Sequence, residues 1–172
     1  MIAFLDVETT GLKPAEGAEP IEVAVVVTDD AFREAGCFES IIQPTRPMAD
    51  WDPVCVKMHA ANGLLNHLDA YPPPRHHVGQ TLARFLGQYA APLIIAGRSP
   101  HFDMAFLEHH WPHIAALFSR HRIDVTAFQL VGERVTTAPQ LARDKPHRAM
   151  ADVRRSIAEL QHWVAAIRGS EG

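Results

Sequence analysis

Short runs of apolar and β-branched residues open the chain and predict buried strands. Two of them cover residues 1–6 and 21–28, and a third is expected over residues 36–43. The segment between the first two runs, GLKPAEGAEP, is rich in turn residues and too short for a helical crossover. The pattern therefore predicts an antiparallel meander of three strands.

Helical spacing of apolar residues dominates the rest of the chain. It is clearest over residues 78–89 and over 153–167, where Gly169 ends the last predicted helix. The remaining predicted elements are helical segments at 54–69 and 102–111 and strands at 93–97 and 122–126. Strands followed by helices that alternate with two more strands predict an α/β fold, in which helices cover a mixed five-stranded sheet. Because no repeat or linker interrupts the pattern, we expect one domain over residues 1–172.

Composition narrows the class of protein. A hydrophobic fraction of 47% in 172 residues is enough for one sizeable core, and the net charge of −4 excludes binding to nucleic acid through a broad basic surface. Cys37 and Cys55 form no CxxC or Cys/His pattern, which argues against a zinc knuckle or a disulfide framework. No signal-peptide core and no spanning apolar run is found, so we expect a cytoplasmic protein without membrane attachment.

Two acidic residues end the first predicted strand. Asp6 and Glu8 are two positions apart, so both carboxylates project to the same side of the strand. Two acids side by side repel each other unless a cation lies between them. The pair indicates a metal site, with a solvated strand end as the alternative.

Two later acids and one histidine extend this set of candidate site residues. Asp103 falls in the first turn of a helix after the strand at 93–97, where it could also complement the helix dipole. Asp152 flanks the apolar stripe of the last helix. His147 would lie about 140° from Asp152 on an ideal helix. To share a site with Asp152, it must therefore lie in the loop or at the helix entry.

This order of motifs resembles the DEDDh family of 3′–5′ exonucleases: a D-x-E pair on the first strand, an acid after a later strand, and H-x4-D opening the last helix. The matching residues are Asp6, Glu8, Asp103, His147 and Asp152. The resemblance implies an RNase H-like fold and hydrolysis of phosphodiester bonds at the 3′ end of single-stranded RNA or DNA. It also implies a homodimer.

Within that family, the segment HRAMADVRRSIAEL (147–160) is similar to the last motif of oligoribonucleases, which favours short RNA as substrate. Two departures keep a DNA-trimming or proofreading exonuclease open. Trp51 of the M-x-D-W segment stands eight residues before His59 rather than five, and the middle motif, GRSPHFD, lacks the family's GNS-x-x-x-D form. A third reading, a non-catalytic nucleic-acid-binding module, would be expected to lose at least one of the acids.

The acidic residues predict a site for divalent cations. Oxygen ligands favour hard cations, so we expect two Mg²⁺ or Mn²⁺ ions bound by Asp6, Glu8, Asp103 and Asp152. Two such ions about 3.5–4 Å apart would bracket a scissile phosphate. His147 is expected to accept the proton of the attacking water as general base. Glu8 is also placed to hydrogen-bond the terminal 3′-hydroxyl or that water.

Substrate contacts are expected from the turn after the first strand and from nearby rings. Leu12 is the candidate wedge between the last two bases. The full predicted set is Thr9, Gly11, Leu12, Trp51, His59 and Phe102. The alternatives are a loop aromatic that covers the core for Trp51, core packing for Phe102 and a satisfied helix-end histidine for His59. Arg143 and Lys145, just before His147, are candidate phosphate contacts, with a solvated basic loop as the alternative.

Overall fold

A computed structural model describes residues 1–141 and 147–169 of the chain, and within them five strands form one sheet in the order β3-β2-β1-β4-β5. The strands are β1 (Ile2–Thr9), β2 (Pro20–Thr28), β3 (Glu34–Ile41), β4 (Leu93–Gly97) and β5 (Phe118–Asp124). β1, β2 and β3 pair antiparallel, whereas β4 pairs parallel with both β1 and β5. The predicted mixed sheet, with its N-terminal meander, is confirmed.

Helices connect and cover these strands. They are α1 (Pro53–Ala61), α2 (Leu64–Leu68), α3 (Arg75–Leu86), α4 (Pro100–His110), α5 (Pro112–Ala115), α6 (Val125–Val135) and α7 (Ala149–Gly169). Short 3₁₀ turns occupy Pro14–Glu16 and Met48–Asp50. No helix in the described part of the chain is long and apolar enough to cross a membrane.

Several predicted boundaries were wrong, for local reasons. The expected helix over 54–69 is two helices, because Gly63 adopts a left-handed φ of 78° that interrupts it. β1 continues through its polar residues to Thr9, since pairing with β2 carries the ladder past the apolar run. β5 begins at Phe118 rather than at residue 122, because its exposed middle residues hide the strand from an apolar pattern.

The core lies on both faces of the sheet. Alternate β1 residues Ala3, Leu5 and Val7 pack in the cluster that includes α3 and α4. Ile2 and Phe4 face the opposite cluster, which includes α6 and α7. Asp6 and Glu8 continue the Ile2–Phe4 face, because side chains alternate along a strand. The two carboxylates are thereby directed toward α7.

Candidate active site

A cleft of about 230 Å³ opens at the carboxyl end of β1. β1, the loop after β4, the start of α4 and the start of α7 all contribute to it. Its lining residues are Asp6, Val7, Glu8, Arg98, Ser99, Phe102, Asp103, His147, Asp152 and Ser156. The structure thus brings together every residue expected to act in catalysis, although those residues are spread from position 6 to position 152.

The strand and the first turn of α4 hold three of the acids in place. Glu8 is only 6% exposed and lies directly opposite Glu22 of β2. The Asp103 carboxylate, also buried, accepts a hydrogen bond of 3.0 Å from the backbone N–H of Val7. This bond ties α4 to β1 at the residue between Asp6 and Glu8.

Protonation is strongly perturbed in this cluster. Burial, followed by the charges of Asp103 and Glu8, raises the pKa of Asp6 well above its ordinary value. Burial and the charges of Asp152 and Glu22 raise the pKa of Glu8 to about 8. Burial also raises the pKa of Asp103 to about 7, against the hydrogen bond donated by Val7. Without a cation, these acids are stable together only if some of them hold protons.

The donor set fits divalent cations. One ligand atom each from Glu8, His147 and Asp152 lies within 4.8 Å of the others. Asp6 and Asp103 line the same cleft and add further carboxylate oxygens. A set dominated by carboxylate oxygen matches the preference of Mg²⁺ or Mn²⁺.

His147 lies outside α7, at its entry, as its spacing from Asp152 required. Its φ of 49° is left-handed, and its carbonyl oxygen accepts a hydrogen bond from the side-chain amide of Asn62. The next residue, Arg148, donates to the Glu22 carboxylate at 2.8 Å. Ser99, on the opposite wall, has a similar φ of 54°. Such backbone conformations are unfavourable for non-glycine residues and concentrate at functional sites.

The turn after β1 carries three of the predicted substrate contacts, and none of the three lines the main cleft. The Thr9 hydroxyl donates to the Gly11 carbonyl oxygen at 2.7 Å, which fixes the turn. Leu12 is 67% exposed, and it borders a second depression of about 160 Å³ together with Gly11. Phe102 lines the main cleft and packs on Phe106 with ring centroids 5.0 Å apart. Phe102 is therefore part of the main cleft, whereas Leu12 is exposed at the second depression.

Trp51 and His59 occupy the interior instead. Trp51 packs with Ile21 and Leu64, and its indole N–H donates to a backbone carbonyl oxygen at 3.2 Å. His59 is 0% exposed; its Nε2 lies 2.9 Å from the Thr9 carbonyl oxygen and its Nδ1 lies 3.9 Å from Glu8 Oε2. Neither ring presents a free face to a base in this structure. Arg143 and Lys145 lie outside the described residues.

Sequence reasoning missed the arginine–glutamate pairs around the cleft. Arg148 binds Glu22, and Arg98 binds Glu159 of α7 at 2.8 Å. Glu22 was visible as one polar residue inside the apolar run of β2, but its partner is 126 residues away in sequence. Only the strand register, which pairs Glu22 with Glu8, shows that it borders the site.

Comparison with known proteins agrees with this geometry. The RNase T exonuclease family model matches residues 3–160, and the chain belongs to that family. It is a 3′–5′ exonuclease of the DEDDh superfamily, a hydrolase acting on nucleic acid.

Among its relatives, the oligoribonuclease of Idiomarina loihiensis is 32% identical over 168 residues, which is 94% of this chain and 91% of that protein. The oligoribonuclease of Vibrio cholerae is also 32% identical, over 96% of this chain and 94% of that protein.

Solved structures establish the fold. Exonuclease I of E. coli, in complex with a 5cy-dT13 oligonucleotide, superposes with a TM-score of 0.74 at 18% identity and covers 98% of this chain. The chain spans only 41% of that structure's chain. Exonuclease I of Methylocaldum szegediense gives a TM-score of 0.67 at 19% identity, over 92% of this chain and 39% of that one. The RNase H-like fold expected from the sequence is confirmed.

Proposed function

We propose that this cleft hydrolyses the terminal phosphodiester of short RNA strands from the 3′ end, using divalent cations held by Asp6, Glu8, Asp103 and Asp152. One observation carries the proposal: buried carboxylates with raised pKa values lie against one another and against His147 in one cleft. Clustered acids of this kind are unfavourable for folding, so their presence indicates a cation-dependent function.

Cations are the means by which an acidic protein can bind a polyanion. Divalent ions at these carboxylates would supply the positive charge that a phosphodiester requires while it is hydrolysed. Asp6 and Glu8 offer adjacent oxygens from one strand, and Asp103 and Asp152 face them from α4 and α7. Rigid elements thus carry the carboxylates, which keeps the site in one geometry.

His147 lines the same cleft as the acids, which supports a role in proton transfer. We assign it as the general base: an imidazole nitrogen takes a proton from the attacking water, whose oxygen forms the new bond to phosphorus. The bond from phosphorus to the 3′ oxygen breaks and the leaving 3′ oxygen takes a proton from solvent, so the products are a 5′-mononucleotide and a strand shortened by one residue with a free 3′-hydroxyl. The left-handed backbone at His147 and the hydrogen bond that Asn62 donates to its carbonyl oxygen fix the main chain at this position, and His147 lines the cleft.

The preference for short RNA is supported by the relatives named oligoribonuclease, which match this chain over nearly its whole length. Leu12 supports a 3′-end binding mode, because it is an exposed aliphatic side chain three residues after the strand that carries Asp6 and Glu8, and such a side chain can separate the last two bases. A second candidate is the trimming of longer DNA or RNA strands. The interior position of Trp51 favours it, since that ring does not line a small pocket for a dinucleotide.

A time course in Mn²⁺ with 5′-labelled RNA and DNA, each as dinucleotides and as long single strands, separates these candidates. Rapid cleavage of RNA dinucleotides with slow decay of long strands is the expected result. Stepwise shortening of long strands with dinucleotides left intact would favour the trimming function instead. Asp152→Asn protein is the control for contaminating nuclease, and equal activity in that variant would contradict the assigned site.

We further propose a homodimer. α6 exposes Leu130, Val131 and Val135, and an apolar groove of about 160 Å³ beside it is lined by Ala127, Phe128, Val131 and Ile167. Apolar surface of this kind is typical of a protein–protein interface. Light scattering should give twice the 19.1 kDa mass of the chain, and a monomer at assay concentration would contradict the proposal.

A further inference from the structure

Arg98 is the one arginine or lysine among the described residues that line the cleft. It follows Gly97, the last residue of β4, and it occupies the second position of the middle motif, GRSPHFD, where the family form GNS-x-x-x-D has asparagine. Its side chain is 30% exposed, so it is anchored and still accessible from the cleft. A permanent positive charge therefore lies on the wall of an otherwise acidic site.

Two neighbours fix the orientation of this guanidinium. Its Nε donates to Glu159 Oε2 at 2.8 Å, and its Nη2 donates to Gln129 Oε1 at 2.7 Å. Glu159 and Gln129 are themselves buried, and Gln129 is held in turn by a 2.7 Å hydrogen bond to Glu133. A guanidinium has five N–H donors, and these two bonds use two of them.

The charge balance around Glu159 argues against a purely structural pair. Arg155, one turn before Glu159 on α7, already binds the same carboxylate at 3.0 Å. Glu159 is thus paired with two arginines and does not depend on Arg98 alone for a cationic partner. Arg98 is the member of this cluster that lines the cleft, whereas Arg155 does not line it.

We propose that Arg98 binds a phosphodiester of the substrate at its 3′ end, beside the cation ligands. The proposal rests on the function proposed above for the location of that end. A fixed guanidinium binds phosphate oxygens through paired N–H donors, which a flexible lysine or a neutral asparagine cannot reproduce. Substrate phosphate would thus be bound by a protein side chain as well as by the cations.

Arg98→Ala and Arg155→Ala form a matched pair of variants, because each removes one arginine from Glu159 and leaves the other. We expect Arg98→Ala to lower kcat/KM about tenfold to hundredfold, mainly through KM, and Arg155→Ala to leave it within about twofold of the wild type. The slope of log kcat/KM against log salt should become shallower by about 0.7 in Arg98→Ala alone, because one phosphate contact is lost. Arg98→Lys should recover the salt slope and only part of kcat/KM.

A substrate with a single phosphodiester, the p-nitrophenyl ester of thymidine 5′-phosphate, identifies the phosphate concerned. A loss on this ester places Arg98 on the reacting phosphodiester, and a loss confined to oligonucleotides places it on the neighbouring one. Equal kinetics and salt slopes for Arg98→Ala and Arg155→Ala would overturn the proposal. Thermal melting of both variants separates these results from unfolding. Failure of the proposed function would show differently, as turnover that survives in Asp152→Asn.

Discussion

Two glutamates of this protein are equally buried and yet have opposite environments. Glu8 is 6% exposed and Glu19 is 5% exposed. Glu19 accepts hydrogen bonds from the backbone of Thr45 and Arg46 and from the Arg75 guanidinium, at 2.9–3.0 Å. Burial raises its pKa, but these hydrogen bonds, together with one donated by the Thr45 hydroxyl, outweigh burial and hold the pKa below its ordinary value. Burial, followed by the charges of neighbouring acids, raises the pKa of Glu8 to about 8.

The difference shows that burial alone does not decide the protonation state of a carboxylate, because the neighbouring groups also shift its pKa. Glu22 and Glu159 resemble Glu19, since each is buried beside an arginine. The acids of the cleft instead face one another, an arrangement that folding alone disfavours. The structural carboxylates thus have arginine partners within the protein, whereas Asp6 and Glu8 lie among other carboxylates, whose charges we propose are offset by cations.

Removal of a cleft carboxylate should have the largest effect on activity. We expect Asp6→Asn and Asp152→Asn to reduce exonuclease activity below detection, because each removes a cation ligand. Melting temperatures in chelator should be unchanged or higher than in the wild type, since a repelling charge is gone. Activity on labelled RNA and thermal melting measure the two effects. Near wild-type turnover at saturating Mn²⁺ would contradict the assignment of these ligands.

His147→Asn should have the next largest effect. Asparagine tolerates the left-handed backbone at this position, so the substitution tests the imidazole rather than the fold. We expect kcat to fall about 10²–10⁴-fold, as for loss of a general base. Metal-dependent binding of RNA should be retained, as measured by fluorescence anisotropy. Weaker RNA binding with unchanged kcat would instead make His147 a binding residue.

The cleft should also make stability depend on pH and metal. The ordinary pKa values of Glu8 and Asp103 are 4.5 and 3.8, and their values in the fold are about 8 and about 7. Between these values the folded chain holds more protons than the unfolded chain. The free energy of unfolding in chelator should therefore fall as pH rises from about 5 to about 8.

Divalent cations should reverse that loss. At a concentration about 100-fold above Kd, Mn²⁺ should raise the melting temperature by about 5–10 °C near pH 8 and by less near pH 6, where protons compete for the carboxylates. Thermal melting with and without chelator measures both values. A metal-induced gain that is independent of pH, or that is retained in Asp6→Asn, would place the cations elsewhere.

The positions of the cleft residues could be predicted from the sequence, but the partners of the arginine-paired glutamates could not. Strand periodicity placed Asp6 and Glu8 on one face, and helical geometry placed His147 outside the last helix; the structure agrees with both. The partners of Glu19 and Glu22 could not be predicted, because they join residues up to 126 positions apart through register and loop geometry. The rings of Trp51 and His59 show the same limit, since sequence alone does not separate an interior ring from one at a cleft.

The smallest effect on activity is expected from substitution of Glu19, one of the buried glutamates that pair with an arginine. Glu19→Gln should lower the free energy of unfolding by about 1–3 kcal/mol at neutral pH, nearer the lower value because the Arg75 partner is partly exposed. Since the pKa of Glu19 is lowered in the fold, its stabilisation is present above the ordinary value of 4.5 and is lost as pH falls through the folded value. The deficit of Glu19→Gln should therefore shrink below about pH 4.5, whereas the stabilisation of the cleft by protons is gained at higher pH, as pH falls from about 8 to about 5.

Denaturant unfolding at several pH values tests this prediction, with Glu16→Gln as the control because Glu16 forms an exposed ion pair with Lys13. The exonuclease activity of folded Glu19→Gln should match that of the wild type. A loss of activity comparable to that of Asp6→Asn would show that the paired and the clustered carboxylates are one functional unit. Pairing with an arginine would then no longer distinguish a structural carboxylate from a catalytic one.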